Sequence, residues 1–190
     1  DRQQEVLGYA ADKALHLEHW QASFREEMEP LSRDSLLARE VERWLAHGAR
    51  RDGSERELLA ELSSYLRGRK FLAIFVYDPR GEIRLAVNPR ARPPSPLARL
   101  RALEAIRTRQ GVLADLHRGN TPEDRKIVFD YLVPLMYSQG ESMKAVAAVY
   151  LRIDPKITIY PLLRSEPDQR KAVDALLISR RGNRFFHFDD

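Results

Sequence analysis

The sequence predicts an α+β fold: a long N-terminal helix, then one central antiparallel sheet flanked by helices. Three observations carry that reading. The opening stretch repeats apolar residues at helical spacing, residues 71–77 break that period with a continuous β-rich apolar run, and residues 127–153 hold two long apolar segments around a short polar connector. The order helix, helix, helix, two strands, helix, three strands is that of a single sheet with helices beside it.

Each element follows from its residues. Ala10, Leu17, Phe24 and Leu31 recur every seven residues, with Ala14, Trp20 and Met28 on neighbouring turns, which places one apolar stripe along the first helix. That stripe suits packing on the helix's own domain and equally a partner helix in a dimer. A second helix starts near Ser32 or Asp34, either a fitting N-cap, and carries Leu36, Leu37, Val41, Trp44 and Leu45 before Gly48 stops it. Ser54-Glu55-Arg56-Glu57 has capping-box spacing and opens a third helix with Leu58, Leu59, Leu62, Tyr65 and Leu66, closed by Gly68.

Phe71-Leu72-Ala73-Ile74-Phe75-Val76-Tyr77 reads as a strand covered on both faces. Asp78-Pro79-Arg80-Gly81 is a turn, and residues 82–87 return as the second strand of a hairpin. Pro89, Pro93, Pro94 and Pro96 keep residues 88–96 a loop. A helix over residues 96–108 aligns Leu97, Leu100, Leu103 and Ile106 on one face. Residues 111–116 form a short strand and 117–125 a polar loop. Long strands then occupy 127–137 and 145–153, with Pro134 marking an edge position or a bulge. Residues 157–163 form a short helix and 164–170 a linker. A last hairpin spans 173–188 around Arg180-Arg181-Gly182-Asn183.

Composition bounds the function. An apolar fraction of 43% supports a core, and 32 basic against 28 acidic residues give a net charge of only +4, spread along the chain. No element concentrates basic residues, so nucleic acid is not an expected partner. With no cysteine there are no disulfides, thiolate metal sites or cysteine nucleophiles. No run of about 18 or more apolar residues spans a bilayer. The chain opens inside a helical pattern and stops just after Phe185-Phe186-His187-Phe188, which is expected of a piece of a longer protein.

Enzyme chemistry lacks its parts. His16 and His19 stand three apart on the first helix, but no third ligand is near, so no metal is expected. There is no Gly-x-Ser-x-Gly elbow, and none of the nine glycines forms a phosphate-cradling motif, so no cofactor is expected either. The long strands are more informative. Alternation puts Tyr150, Arg152 and Asp154 on one face, while Asp130 is a lone charge among Val128, Phe129, Tyr131 and Leu132. A buried carboxylate needs a cation or hydrogen bonds, and Arg152 supplies both. Two readings follow: an ion pair that sets strand register, or a pocket for a small polar or charged ligand. Arg84, Tyr131, Tyr137, Asp115 and Arg118 are secondary ligand-binding candidates because they lie on or beside the sheet.

Several segments together resemble a known family. They are the amphipathic stretch from Lys13 to Trp20, Arg43-Trp44-Leu45-Ala46, and the strand ending in Tyr77-Asp78-Pro79-Arg80-Gly81. Gly111-Val112-Leu113-Ala114-Asp115-Leu116-His117-Arg118 and Phe129-Asp130-Tyr131-Leu132-Val133-Pro134-Leu135 add to them. So do Val149-Tyr150-Leu151-Arg152-Ile153-Asp154-Pro155 and Ile159-Tyr160-Pro161-Leu162. In order and spacing they resemble the Cache-type (PAS-like) sensor domains of bacterial receptors such as histidine kinases and diguanylate cyclases.

The resemblance implies a periplasmic, membrane-tethered sensor domain that is not itself an enzyme and takes a small-molecule ligand, and the apolar stripe of the first helix adds a homodimer formed through that helix. It implies an N-terminal helical region over 1–68, a membrane-distal PAS-like domain over 69–164, and the start of a second, membrane-proximal unit over 165–190. The amino-acid-binding variant of the family carries a Trp-Tyr pair where this chain has Arg109-Gln110-Gly111, so an amino-acid ligand is not implied. Two alternatives stay open: a ligand-free interaction or dimerisation module of the same fold, and a cytoplasmic PAS- or GAF-like regulatory domain.

Overall fold

The computed structural model describes residues 2–65, 71–114, 117–118, 127–163, 177–181 and 184–188. Helices α1 (Arg2–Ser32), α2 (Ser35–Ala46) and α3 (Gly53–Tyr65) come first, followed by the hairpin β1 (Phe71–Tyr77) and β2 (Ile83–Ala86). Next are α4 (Pro96–Thr108), the short strands β3 (Val112–Leu113) and β4 (His117–Arg118), and the long pair β5 (Ile127–Gln139) and β6 (Ser142–Ile153). Two four-residue helices, α5 (Pro155–Thr158) and α6 (Tyr160–Leu163), follow, and β7 (Leu177–Arg181) with β8 (Arg184–Phe188) forms a separate two-stranded sheet. The expected α+β class is what the chain adopts.

The main sheet runs in the order β2-β1-β6-β5-β3, with β4 also on β5, and every pairing is antiparallel. The β5–β6 hairpin closes more tightly than its sequence suggests. Gln139 pairs with Ser142, so only Gly140 and Glu141 connect the strands, with Gly140 at φ +64°. Pro134 sits opposite Ala148, where β3, which reaches only Tyr131 and Leu132, no longer flanks β5. Its carbonyl accepts the Ser32 hydroxyl at 2.7 Å, so that edge, where its missing N–H would lie, faces away from β6. The bulge falls just beyond, between Leu135 and Met136.

Two cores lie on opposite faces of the sheet. On one, α1 and α2 bury Phe24, Met28, Leu31, Leu37, Val41 and Trp44 against Phe129, Tyr131, Val133, Val149 and Leu151. Trp20 stacks on Phe24 and meets Phe129 edge-on, and Phe24 meets Tyr131 edge-on, so the C-terminal half of the α1 stripe serves its own domain. Further towards the N-terminus Ala10 and Ala14 are exposed, as are Leu7 and Leu15.

On the other face α4 covers Ala73, Phe75, Tyr77, Leu132, Ala148 and Tyr150. Here the structure corrects the expected helix face. Ala98, Ala102 and Ala105 point at the sheet with Ile106 of the expected face packed beside them, whereas Leu97 and Leu100 are exposed. The rings of Phe75, Tyr77 and Tyr150 already fill the sheet side, so the helix approaches through side chains that add almost no volume.

Capping decides one open choice of the sequence reading and differs from it once. Asp34, not Ser32, caps α2 by accepting Leu37 N–H at 3.1 Å, while Ser32 is occupied by Pro134. At α3 the cap is Asp52, whose carboxylate accepts Ser54 N–H at 2.9 Å, so Ser54 lies inside the helix. The polar loop expected from residue 117 begins with β4, and the single helix expected over 157–163 is two short ones starting at Pro155. Gly68, Leu116 and the 164–170 linker lie outside the described residues.

Candidate functional site

The α4 face of the sheet gathers most of the buried polar groups that the strands offer. Cross-strand partners share a face, and the register sets Asp130 opposite Arg152, Leu132 opposite Tyr150, and Phe75 opposite Tyr150 on the other side. Asp130 is only 2% exposed. Its Oδ1 accepts the Tyr150 hydroxyl at 2.5 Å, and that hydroxyl oxygen accepts Arg152 Nε at 3.1 Å. Arg152 also donates from Nη1 to the Arg92 carbonyl at 3.2 Å, tying the loop before α4 to the sheet, and its guanidinium lies 5.6 Å from the Tyr150 ring centroid. Tyr150 Oη is thus the joint of a relay from guanidinium to carboxylate.

Burial pushes the Tyr150 hydroxyl well above the usual tyrosine range, the Asp130 charge adds to the rise, and Arg152 opposes it. Burial raises Tyr77 likewise, again with Asp130 adding and Arg152 opposing. Both phenols therefore stay protonated at neutral pH and act as hydrogen-bond donors, not as bases or nucleophiles. A fixed carboxylate, a partly exposed guanidinium, two phenols and a loop carbonyl suit recognition of a polar group. Among the described residues no cluster of histidine, aspartate and glutamate could hold a metal ion.

The other candidate residues divide by position. Asp154 follows the end of β6, and its carbonyl accepts Ile157 N–H at 3.2 Å and the Thr158 hydroxyl at 3.0 Å, which starts α5. Arg84 is drawn to the β1–β2 turn, where its Nε donates to Asp78 Oδ2 at 2.8 Å. Asp78 is a turn organiser, since its Oδ1 also accepts the N–H groups of Arg80 and Glu82 at 2.8 and 2.9 Å. Burial pushes the Asp78 carboxyl up, but the Glu82 amide, Arg84 and the Arg80 amide outweigh it and hold it below its ordinary value.

Tyr131 and Tyr137 face the α1–α2 core, on the side of the sheet away from Asp130. Arg118 is placed by its backbone in β4 opposite Ile127, and Asp115 lies outside the described residues. Tyr77 and the Arg92 carbonyl were not singled out from sequence. Tyr77 shares the parity of Ala73 and Phe75, a signal that becomes useful only once β1 is known to pair with β6.

No protein-family model matches the sequence, and no curated protein matches it. Among solved structures the chain is similar to the sensory domain of the Campylobacter jejuni chemoreceptor Tlp3 with isoleucine bound, at 11% identity and a TM-score of 0.49, covering 87% of this chain and 66% of that one. It is also similar to the ligand-binding domain of Tlp3 with L-valine, at 12% identity and a TM-score of 0.48, covering 87% and 67%. The ligand-binding domain of Mlp24 with asparagine is similar at 18% identity and a TM-score of 0.36, covering 82% and 65%. All three are sensory or ligand-binding domains, and this chain spans about two thirds of the length of each. Among the described residues no helix is long and apolar enough to cross a membrane.

Proposed function

We propose that the chain is the extracytoplasmic sensor domain of a membrane receptor, binding a small polar or charged ligand on the α4 face of its sheet. The observation that carries this reading is the Arg152–Tyr150–Asp130 relay, its guanidinium partly exposed and tied to the loop before α4. A ligand that engages Arg152 or displaces the Arg92 carbonyl would change how that loop and α4 rest on the sheet. Because β6 leads directly into α5 and α6, and Lys13 of α1 donates to the Leu162 carbonyl at 3.1 Å, strand, exit helices and N-terminal helix form one connected path. The relay of such a shift to an output domain can be no larger than the ligand's differential affinity for the two arrangements.

In this proposal residues 69–164 are the sensing unit, residues 165–190 begin a second, membrane-proximal unit, and the exposed Leu7 and Leu15 of α1 meet a second copy. A cytoplasmic output domain, such as a histidine kinase or diguanylate cyclase, lies elsewhere in the full receptor. A second reading also has an observation in its favour. The Tyr150 hydroxyl is already satisfied on both sides by Asp130 and Arg152, as it would be in a ligand-free module that uses the set to hold register.

Thermal melting against a panel of carboxylates, amino acids, amines and sugars separates the two. A ligand at a hundredfold excess over its dissociation constant stabilises by about 2.7 kcal/mol, a readily detected shift. The sensor reading expects at least one compound to raise Tm in the wild type and not in Arg152→Ala. A panel without effect, or a shift that Arg152→Ala leaves intact, favours the ligand-free module.

A further inference from the structure

On the side of the sheet away from Asp130, α2 and the tip of the β5–β6 hairpin enclose an open groove of about 650 Å³, within the range of small-molecule sites. One helix face supplies Arg39, Glu42, Arg43 and Ala46, and the hairpin supplies Tyr137 and the turn at Gly140. The charges here are not balanced. Both Glu42 oxygens are committed within the fold, Oε2 accepting the Tyr137 hydroxyl at 2.8 Å and Oε1 accepting Lys144 Nζ at 2.7 Å. The Lys144 ammonium, then the Tyr137 hydroxyl, hold the Glu42 carboxyl below its ordinary value against the opposing effect of burial, so it stays an anion spent on Lys144.

That leaves the two arginines without a hydrogen-bonded anion, Arg39 acting on Glu42 through its charge alone. The Arg39 guanidinium lies over the Tyr137 ring, 4.8 Å from its centroid, which orders a side chain that would otherwise move freely. Arg43 stands one helical turn further on the same face. Neither arginine donates a hydrogen bond to any other of the described residues.

We infer that this groove is a second ligand site, taking a small oxyanion, a carboxylate or a phosphate, between Arg39 and Arg43 above Tyr137. Planar guanidinium groups one turn apart match the paired oxygens of such anions, and the stacked ring lowers the entropic cost of fixing the first of them. The site is independent of the Arg152 relay. It lies on the opposite face of the sheet, towards the hairpin end of the same two strands, where an anion would draw α2 and the hairpin together.

Titration of the whole chain with inorganic phosphate and, separately, with citrate tests this, followed by heteronuclear NMR of the arginine Nε–H groups. The expected result is saturable binding of at least one probe that perturbs Arg39 and Arg43 and weakens by at least about tenfold in Arg43→Ala and in the Arg39→Ala/Arg43→Ala pair. Binding should persist in Arg152→Ala, which separates this site from the sensor site, and should weaken with added sodium chloride. Circular dichroism of each variant checks that it folds, and Arg43→Ala, at an exposed position, serves if the pair does not. No saturable binding of either probe, or affinity unchanged in a folded Arg43→Ala, overturns the inference. A response to phosphate alone or to citrate alone tells which oxyanion the groove accepts.

Discussion

Asp130 shows how far a single residue can be read from sequence. A lone carboxylate in an apolar strand had to find a cation or donors, and Arg152, next to last in the following strand, was an evident one. Their opposition across β5 and β6 agrees with that reading, but the atom that joins them is Tyr150 Oη, which depends on strand register and on a ring crossing the face. Asp130→Asn, which keeps shape but removes the charge, is expected to cost about 1–3 kcal/mol in denaturant unfolding.

Gly111 is a position where sequence hid the constraint. A Cβ there would overlap Tyr131 Oη and stand 2.7 Å from Cζ, in a phenol that is almost wholly buried. Gly111→Ala should therefore destabilise by about 1–3 kcal/mol, and Gly111→Ala combined with Tyr131→Phe by less, in a double-mutant cycle.

Glu61 gives a pH signature. Burial first, then a hydrogen bond and charge repulsion from Glu40 and the charge of Asp34, push its carboxyl up from 4.5 to about 7. A carboxyl whose folded value is raised binds its proton more tightly in the native state. Its contribution is full below about pH 4.5 and is lost as pH rises to about 7. Glu61→Gln should flatten the fall in stability across that window and raise Tm above it, measured by melting from pH 4 to about 8.

At the scale of elements, periodicity located the helices and long strands well but misassigned one face. The leucines of α4 have ideal spacing, yet Ala98, Ala102 and Ala105 take the sheet because three aromatic rings occupy the space on the other side. Volume, which depends on the partner surface, outweighed hydrophobicity, which the sequence displays. Ala102→Leu is accordingly expected to lose about 1–3 kcal/mol by overpacking, whereas Leu100→Ala should change stability by less than about 0.5 kcal/mol. Along α1 the same logic separates the two ends. Met28→Ala, deep in the core, should cost about 2–5 kcal/mol, and Leu15→Ala should leave the melting of the monomer unchanged. The caps were harder to place. Asp34 and Ser32 are both good N-cap types, and only the arrival of the Pro134 carbonyl beside Ser32 decides between them.

For the whole molecule, the α+β class was legible because helical and strand periods alternate cleanly. The division of labour between the two faces of the sheet was not, since it depends on which strands become neighbours. Sequence candidates scattered over the sheet therefore separate: Tyr150, Arg152 and Asp130 converge under α4, Tyr137 joins the α2 groove, and Arg84 serves the first turn. Among the described residues the final hairpin pairs with itself alone, its two strands forming their own sheet. If residues 165–190 begin a separate unit, a chain ending at residue 164 should keep its Tm within about 2–4 °C, the shift that roughly 1 kcal/mol produces in a chain of this size. A much larger loss would make the hairpin part of the sensing unit.

In the proposed sensor the Arg152–Tyr150–Asp130 relay meets the ligand. The most direct test is calorimetric titration of Tyr150→Phe with whichever compound raises the melting temperature of the wild type most. Removing one hydroxyl keeps the ring in its core and takes away the joint of the relay. Affinity is expected to fall by about tenfold or more while the variant remains folded and cooperative. Affinity equal to that of the wild type would contradict it, and would leave the relay as a device for strand register alone.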